Sequence, residues 1–202
     1  TIIPNPFCCL ENTVGVPPTT RKFSTAAMYN NGTGVISFSG TSVTGTGMNV
    51  TSQSASLNQT LNNGNYQFSG NSTSGSGVVL NNFVALSNAN LTIFANTGSA
   101  STAQAFNILS TGGIVGTGSV DVTANNNSTI GGAINLTGSG NNLAIETTRG
   151  NLTLNANLQA TTNISLSAGS SMAAGASPTP GPDSSPGKLA GEVKSRSEER
   201  RV

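Results

Sequence analysis

The chain of 202 residues has no Trp, no His, two Cys and a charged share of 7%, against about 25% in ordinary soluble domains. Each shortage removes a class of function. Without His, and with its cysteines confined to the neighbours Cys8 and Cys9, the chain offers no zinc constellation and no unstrained disulfide between those two thiols. Two readings of them stay open: free thiols for another partner, or part of a non-native leader, which the unlike composition of their surroundings favours. A net charge of +1 leaves no basic stripe to displace counterions from phosphates, so nucleic acid is not an expected partner. The same neutrality argues against wholesale disorder, which joins low hydrophobicity to high net charge. Apolar runs such as Phe83-Val-Ala-Leu86 stop far short of the roughly 20 residues of a spanning helix, and no membrane span is expected. No signal peptide is visible after Thr1, and we read the chain as a piece of a longer protein.

Proline is missing from the middle and frequent at both ends. Its positions are 4, 6, 17, 18, 178, 180, 182 and 186, which leaves residues 19–177 free of it. Charge is distributed in the same way: from Ser24 to Met172 only Asp121, Glu146 and Arg149 carry any. Three segments follow. Residues 1–23 form an irregular leader, residues 24–172 a repetitive body, and residues 173–202 a Pro/Ser-rich, then charged, tail expected to be disordered.

What the body does contain is a repeat. Phe38-Ser-Gly-Thr-Ser-Val-Thr-Gly-Thr-Gly-Met-Asn-Val50 returns as Phe68-Ser-Gly-Asn-Ser-Thr-Ser-Gly-Ser-Gly-Val-Val-Leu80, and fainter echoes begin at Phe94 and Val122. Steps of 30, 26 and 28 residues separate Phe38, Phe68, Phe94 and Val122, as in stacked structural repeats. Within each step, short windows alternate apolar and polar residues, among them Val35–Phe38, Tyr66–Phe68, Leu91–Phe94, Val120–Val122, Leu143–Ile145, Leu152–Leu154 and Ile164–Leu166. A period of two marks strands buried on one face. Asn30-Asn-Gly32, Asn62-Asn-Gly64, Thr111-Gly-Gly113, Asn125-Asn-Asn127 and Gly138–Asn142 separate them as turns. Thr, Val, Ile, Gly and Asn outnumber strong helix formers. The expected fold is all-β: a right-handed parallel β-helix of five or six coils, with three short strands per coil stacked about 4.8 Å apart. Absence of proline from the body suits coil-on-coil hydrogen bonding. The competing arrangement is an antiparallel sandwich of short strands, which does not account for the repeat.

Few residues can carry chemistry. Asp121 and Glu146 lie 25 residues apart, near one coil, and could stack on one face; with no His, Cys or Lys beside them, pairing of Glu146 with Arg149 across a turn and solvation of Asp121 are the expectation. One carboxylate pair also falls short of a calcium site. No catalytic residue, no metal ligand and no cofactor is therefore expected. Asn-x-Ser/Thr, by contrast, occurs at Asn31, Asn49, Asn58, Asn71, Asn90, Asn126, Asn127, Asn135, Asn151 and Asn163. All are glycan-acceptor candidates. Chance in an Asn/Ser/Thr-rich chain accounts for them equally well.

Residues 30–170, through FSGNSTSGSGVVLNN, NANLTIFAN, GSVDVTANNNSTIGGAINLTG and RGNLTLNANLQATTNISLSAG, resemble the passenger repeats of filamentous-haemagglutinin-like adhesins of Gram-negative bacteria, particularly the high-molecular-weight adhesins. The resemblance implies a β-helical stalk exported through an outer-membrane transporter. It also implies display at the cell surface or release, attachment to a glycan or protein receptor on host cells or to other bacteria, and hexoses on sequon asparagines. Neither flank resembles the family. Two other functions compete. An ice-binding solenoid would repeat Thr-x-Thr in every coil, and Thr44-Gly-Thr46 is not echoed later; a β-helical polysaccharide enzyme would need clustered carboxylates and bases. The stack carries no recognisable end caps, and such ends invite aggregation.

Overall fold

The computed structural model describes residues 27–29, 33–43, 45–50 and 59–174. Every regular element among them is a β-strand. In chain order they are β1 (Ala27–Tyr29), β2 (Val35–Ser42), β3 (Met48–Val50), β4 (Gln59–Ser72), β5 (Val78–Leu80), β6 (Phe83–Thr97), β7 (Phe106–Ile108) and β8 (Gly113–Thr117). After them come β9 (Val120–Ala124), β10 (Ser128–Ile130), β11 (Ile134–Leu136), β12 (Asn142–Thr147), β13 (Leu152–Leu154), β14 (Leu158–Gln159), β15 (Asn163–Ala168) and β16 (Met172–Ala174). The class is all-β, with parallel sheets.

The pairings sort these strands into three ranks. One rank runs β1, the first part of β4, the first part of β6, β8, β11 and β14. A second runs β2, the rest of β4, the rest of β6, β9, β12 and β15. The third runs β3, β5, β7, β10, β13 and β16. All are parallel, and the chain visits the ranks in turn before returning to the first. Ten strands make one sheet from the first two ranks, and six make the other. The long strands β4 and β6 belong to two ranks because they bend midway, at Asn63 and Gly64 with φ of 54° and 70°, and at Asn88 with φ of 55°. Asn and Gly tolerate that left-handed backbone best. Asn62-Asn-Gly64, expected as a turn between strands, is thus a bend inside one.

Alternation decides what is buried. In the second rank Phe38, Phe68, Ile93, Val122, Ile145 and Leu166 stand opposite one another in succession. Parallel to them run Ile36, Tyr66, Leu91, Val120, Leu143 and Ile164. In the third rank Met48, Val78, Phe106, Ser128, Leu152 and Met172 do the same. Apart from the buried Ser128, these columns join in one core cluster. Phe38 and Phe68 meet edge to face, with centroids 5.9 Å apart at 70°, an arrangement that adds to their burial. The register corrects one expectation. Ile93 stands opposite Phe68, while Phe94 stands opposite Ser69 and is exposed, so the repeat step is 25 residues at that point, not 26. Strict alternation forces this, because a slip of one residue turns every side chain to the other face.

The repeated motif is one tight corner between the second and third ranks. Its Phe points inward, and the Gly two residues later has no room for a side chain. A Cβ on Gly40 would overlap the carbonyl oxygen of Gly47, and one on Gly70 would overlap that of Gly77. The second Ser folds into the corner: Ser42 Oγ accepts from Gly45 N at 2.7 Å, and Ser72 Oγ from Gly75 N at 2.9 Å. Ser72 Oγ also donates to the Gly45 carbonyl below it at 2.6 Å, and Thr97 Oγ1 to that of Gly75 at 2.8 Å. Ser42, Ser72 and Thr97 are buried with these bonds made, which is how polar side chains are tolerated in a core. The motif fades afterwards because Ala95 stands at the position of Gly70 and the next corner is longer, with Phe106 of β7 opposite Val78.

Several strands fall where no alternating window was expected: β1, β3, the first parts of β4 and β6, then β8, β10, β14 and β16. Thr111-Gly-Gly113 leads into β8 instead of forming a whole turn. The last strand runs to Ala174, past the expected end of the body at residue 172. Residues 1–23, the turn Asn30–Gly32, and the tail from residue 175 lie outside the described residues.

Candidate functional site

Among the described residues the strands present a long polar surface. Asp121 and Glu146, the two carboxylates of the body, lie on adjacent strands β9 and β12 and are both exposed. They are not opposite each other. Asp121 faces Ala144 and Glu146 faces Thr123, a diagonal placement. Nor does Glu146 form an ion pair with Arg149 among the described residues. Arg149 Nε instead donates to the Asn125 carbonyl at 3.1 Å, a bond to the neighbouring circuit that takes the guanidinium away from Glu146. No group of three His, Cys, Asp or Glu among the described residues could hold a metal ion.

The asparagines divide into two kinds. One kind builds a ladder along the corner that opens the second rank. Asn90 Nδ2 donates to Asn65 Oδ1 at 3.1 Å, and Asn90 Oδ1 accepts from Ser119 N at 3.0 Å. Asn142 N then donates to Ser119 Oγ at 3.0 Å, and Asn163 Nδ2 to Asn142 Oδ1 at 3.0 Å. Stacked amides of this sort tie each circuit to the next. A second ladder opens the third rank, where Asn127 Oδ1 accepts from Asn151 N at 2.9 Å and Asn151 Oδ1 accepts from Ser171 Oγ at 2.8 Å. Asn126 Nδ2 donates to the Ser101 carbonyl at 3.1 Å, and Asn49 Oδ1 accepts from Asn81 Nδ2 at 3.0 Å. Asn135 is half-buried on β11, its Oδ1 enclosed without a partner.

The other kind keeps its amide nitrogen free at an exposed position, and Asn151 belongs to both. Asn71 is exposed at the end of β4, in register with Thr41 and Asn96, which are also exposed. Asn151 is exposed with only its Oδ1 engaged. Of the ten sequon asparagines, then, Asn71 and Asn151 combine exposure with an uncommitted amide nitrogen. The nitrogens of Asn90, Asn126 and Asn163 are held in hydrogen bonds, and Asn31 and Asn58 lie outside the described residues. Reading the sequence for sequons missed Asn65, Ser119 and Asn142, which complete the first ladder. The available signal was an Asn or Ser immediately before or at the start of successive second-rank strands.

The outward face of the second rank carries no cation. One outward column reads Ser37, Gln67, Thr92, Asp121, Ala144 and Ser165; the next reads Ser39, Ser69, Phe94, Thr123, Glu146 and Ser167. Phe94, 36% exposed, is an aromatic ring set among hydroxyls and amides. The third rank reads outward Asn49, Val79, Asn107, Thr129, Thr153 and Ala173, with a single Thr-on-Thr step. Short hydroxyls and amides at 4.8 Å spacing offer repeated hydrogen-bond donors and acceptors, and an exposed ring offers an apolar face. That combination favours binding across a surface over chemistry at a point.

Comparison of the chain with protein-family models, with curated proteins and with solved structures gave no match.

Proposed function

We propose that the three ranks wind as a right-handed parallel β-helix, and that this β-helix is a structural and adhesive segment of a large secreted exoprotein of Gram-negative bacteria. Handedness follows from the rule that crossovers between parallel strands of one sheet are right-handed. The observation that carries the adhesive reading is the second-rank outer face, where columns made mostly of hydroxyls and amides, with the carboxylates of Asp121 and Glu146 among them, surround Phe94. A sugar ring stacks its C–H face on such an aromatic side chain and hydrogen-bonds through its hydroxyls to the flanking side chains. Binding of this kind is spread along the stack and needs no pocket. In this reading the segment reaches the cell surface or the medium through an outer-membrane transporter, its receptor is a host-surface glycan or glycoprotein, and it catalyses nothing. The resemblance of its repeats to adhesin passengers supports the same reading.

The test is binding of the full chain to cultured epithelial cells, with and without competing glycans, beside a Phe94→Ala variant of unchanged circular dichroism. Saturable binding that glycans compete for, and that Phe94→Ala weakens at least about tenfold, is the expected result. Folded protein that does not bind overturns the adhesive part and leaves a shaft.

A further inference from the structure

Five apolar residues pack against the core while remaining partly open to solvent: Ile36, Phe38, Ile164, Leu166 and Met172. All lie in the first or last circuit. The contrast at the C-terminal end is sharp. Leu143, Ile145 and Leu152 are at most 1% exposed, whereas their in-register neighbours Ile164, Leu166 and Met172 in the following circuit are not buried. Leu158 on the adjoining rank stays buried at 1%, which confines the open patch to β15 and β16. Among the described residues β15 pairs on one side only, with β12.

This edge lacks two of the features that keep exposed strands from pairing, charge and proline. No charged residue occurs from Gly150 to Pro182, β15 contains no proline, and none of its residues has a positive φ. Its six residues alternate Asn163, Ser165 and Ser167 outward with Ile164, Leu166 and Ala168 inward. Such a strand is self-complementary, because a two-fold axis across it reverses its direction while keeping the inward set inward.

We propose that the β15 edge is an interface with a second copy of the chain, joined antiparallel through β15 of each molecule, which covers Ile164, Leu166 and Met172. A two-fold contact uses the same patch twice and closes, as most soluble homo-oligomers do. One strand pair is a small interface, so association is weak and concentration-dependent.

Sedimentation of the full chain from about 1 µM to 1 mM, the range of weak interfaces, should show monomer of 20.2 kDa passing to a species of twice that mass. Ser165→Lys with Ser167→Lys, both on the exposed face, should weaken association at least about tenfold without changing the circular dichroism, since like charges then meet across the pair. Cross-linking settles the arrangement. With Cys8 and Cys9 replaced by Ser, Ser165→Cys protein alone should oxidise to a disulfide-linked dimer. A protein monomeric over the whole range overturns the proposal, as does association that the double Lys variant leaves unchanged. Cross-linking that occurs only when Ser37→Cys protein is mixed with Ser165→Cys protein also overturns it, in favour of head-to-tail stacking onto β2.

Discussion

Gly70→Ala is the substitution that most directly probes the corner on which the repeat is built. The added methyl would overlap the Gly77 carbonyl oxygen and come within 2.6 Å of its carbon and 2.7 Å of Val78 Cγ2. All but one of these atoms are backbone, so relief requires moving the corner, and overpacking of this kind costs about 1–3 kcal/mol. The Gly77 carbonyl also accepts from Met48 N at 2.8 Å; displacing it forfeits a further ~1 kcal/mol. Together the loss is about 2–4 kcal/mol, which at about 2–4 °C per kcal/mol for a chain of this size lowers Tm by roughly 4–16 °C. Two controls isolate the cause. Gly34→Ala meets nothing within 4 Å and should stay within about 0.5 kcal/mol. Ala95→Gly, at the register position of Gly70 in the next circuit, should cost about 1–2 kcal/mol, the backbone entropy that Gly carries together with the loss of one buried methyl. Thermal melts followed by circular dichroism decide the matter. If Gly70→Ala melts with Gly34→Ala, the close approach is not what makes the motif repeat.

Phe106→Ala empties a fully buried position and should cost about 3–5 kcal/mol in denaturant titration, against less than about 1 kcal/mol for the half-exposed Leu109→Ala. Asn90→Ala removes two ladder bonds and should lower stability by about 1 kcal/mol, while Asn71→Ala, at an exposed position, should change it by less than about 0.5 kcal/mol. Glu146→Gln should also be neutral within about 0.5 kcal/mol by the same titration, because no ion pair is lost. When the chain is expressed with an asparagine-modifying transferase, peptide mass spectrometry should find sugar on Asn71 and Asn151 ahead of Asn90, Asn126 and Asn163, whose amide nitrogens are committed.

Strand identity was readable from one residue to the next. Val35–Phe38, Leu91–Phe94 and Ile164–Leu166 alternate, and each falls in a strand of the second rank. The all-β class followed from that and from the scarcity of helix formers. The repeat was also visible, because Gly40 with Gly47 and Gly70 with Gly77 meet the same steric demand twice. Strands β8 and β14 were not visible, since Gly113–Thr117 and Leu158–Gln159 are too short or too glycine-rich to alternate and become strands only by pairing with β6 and β11. The sequons were equally legible as motifs, yet nothing local separates Asn90 from Asn71.

Composition and local pattern by themselves therefore determined the kind of element, the buried face of each strand with a visible period of two, and the scarcity of titratable side chains in the body. Burial in a strand depends on neighbours only two residues away, and no folding can supply a residue type that the chain lacks. Register was decided by tertiary structure alone. It moved the third repeat from Phe94 to Ile93, set Asp121 diagonally from Glu146, drew Arg149 to the Asn125 carbonyl and tied Asn90 between Asn65 and Ser119. These contacts join residues 23 to 29 positions apart in most cases, across corners of unequal length. Their alignment comes from packing the inward columns against one another, which no single window of sequence contains.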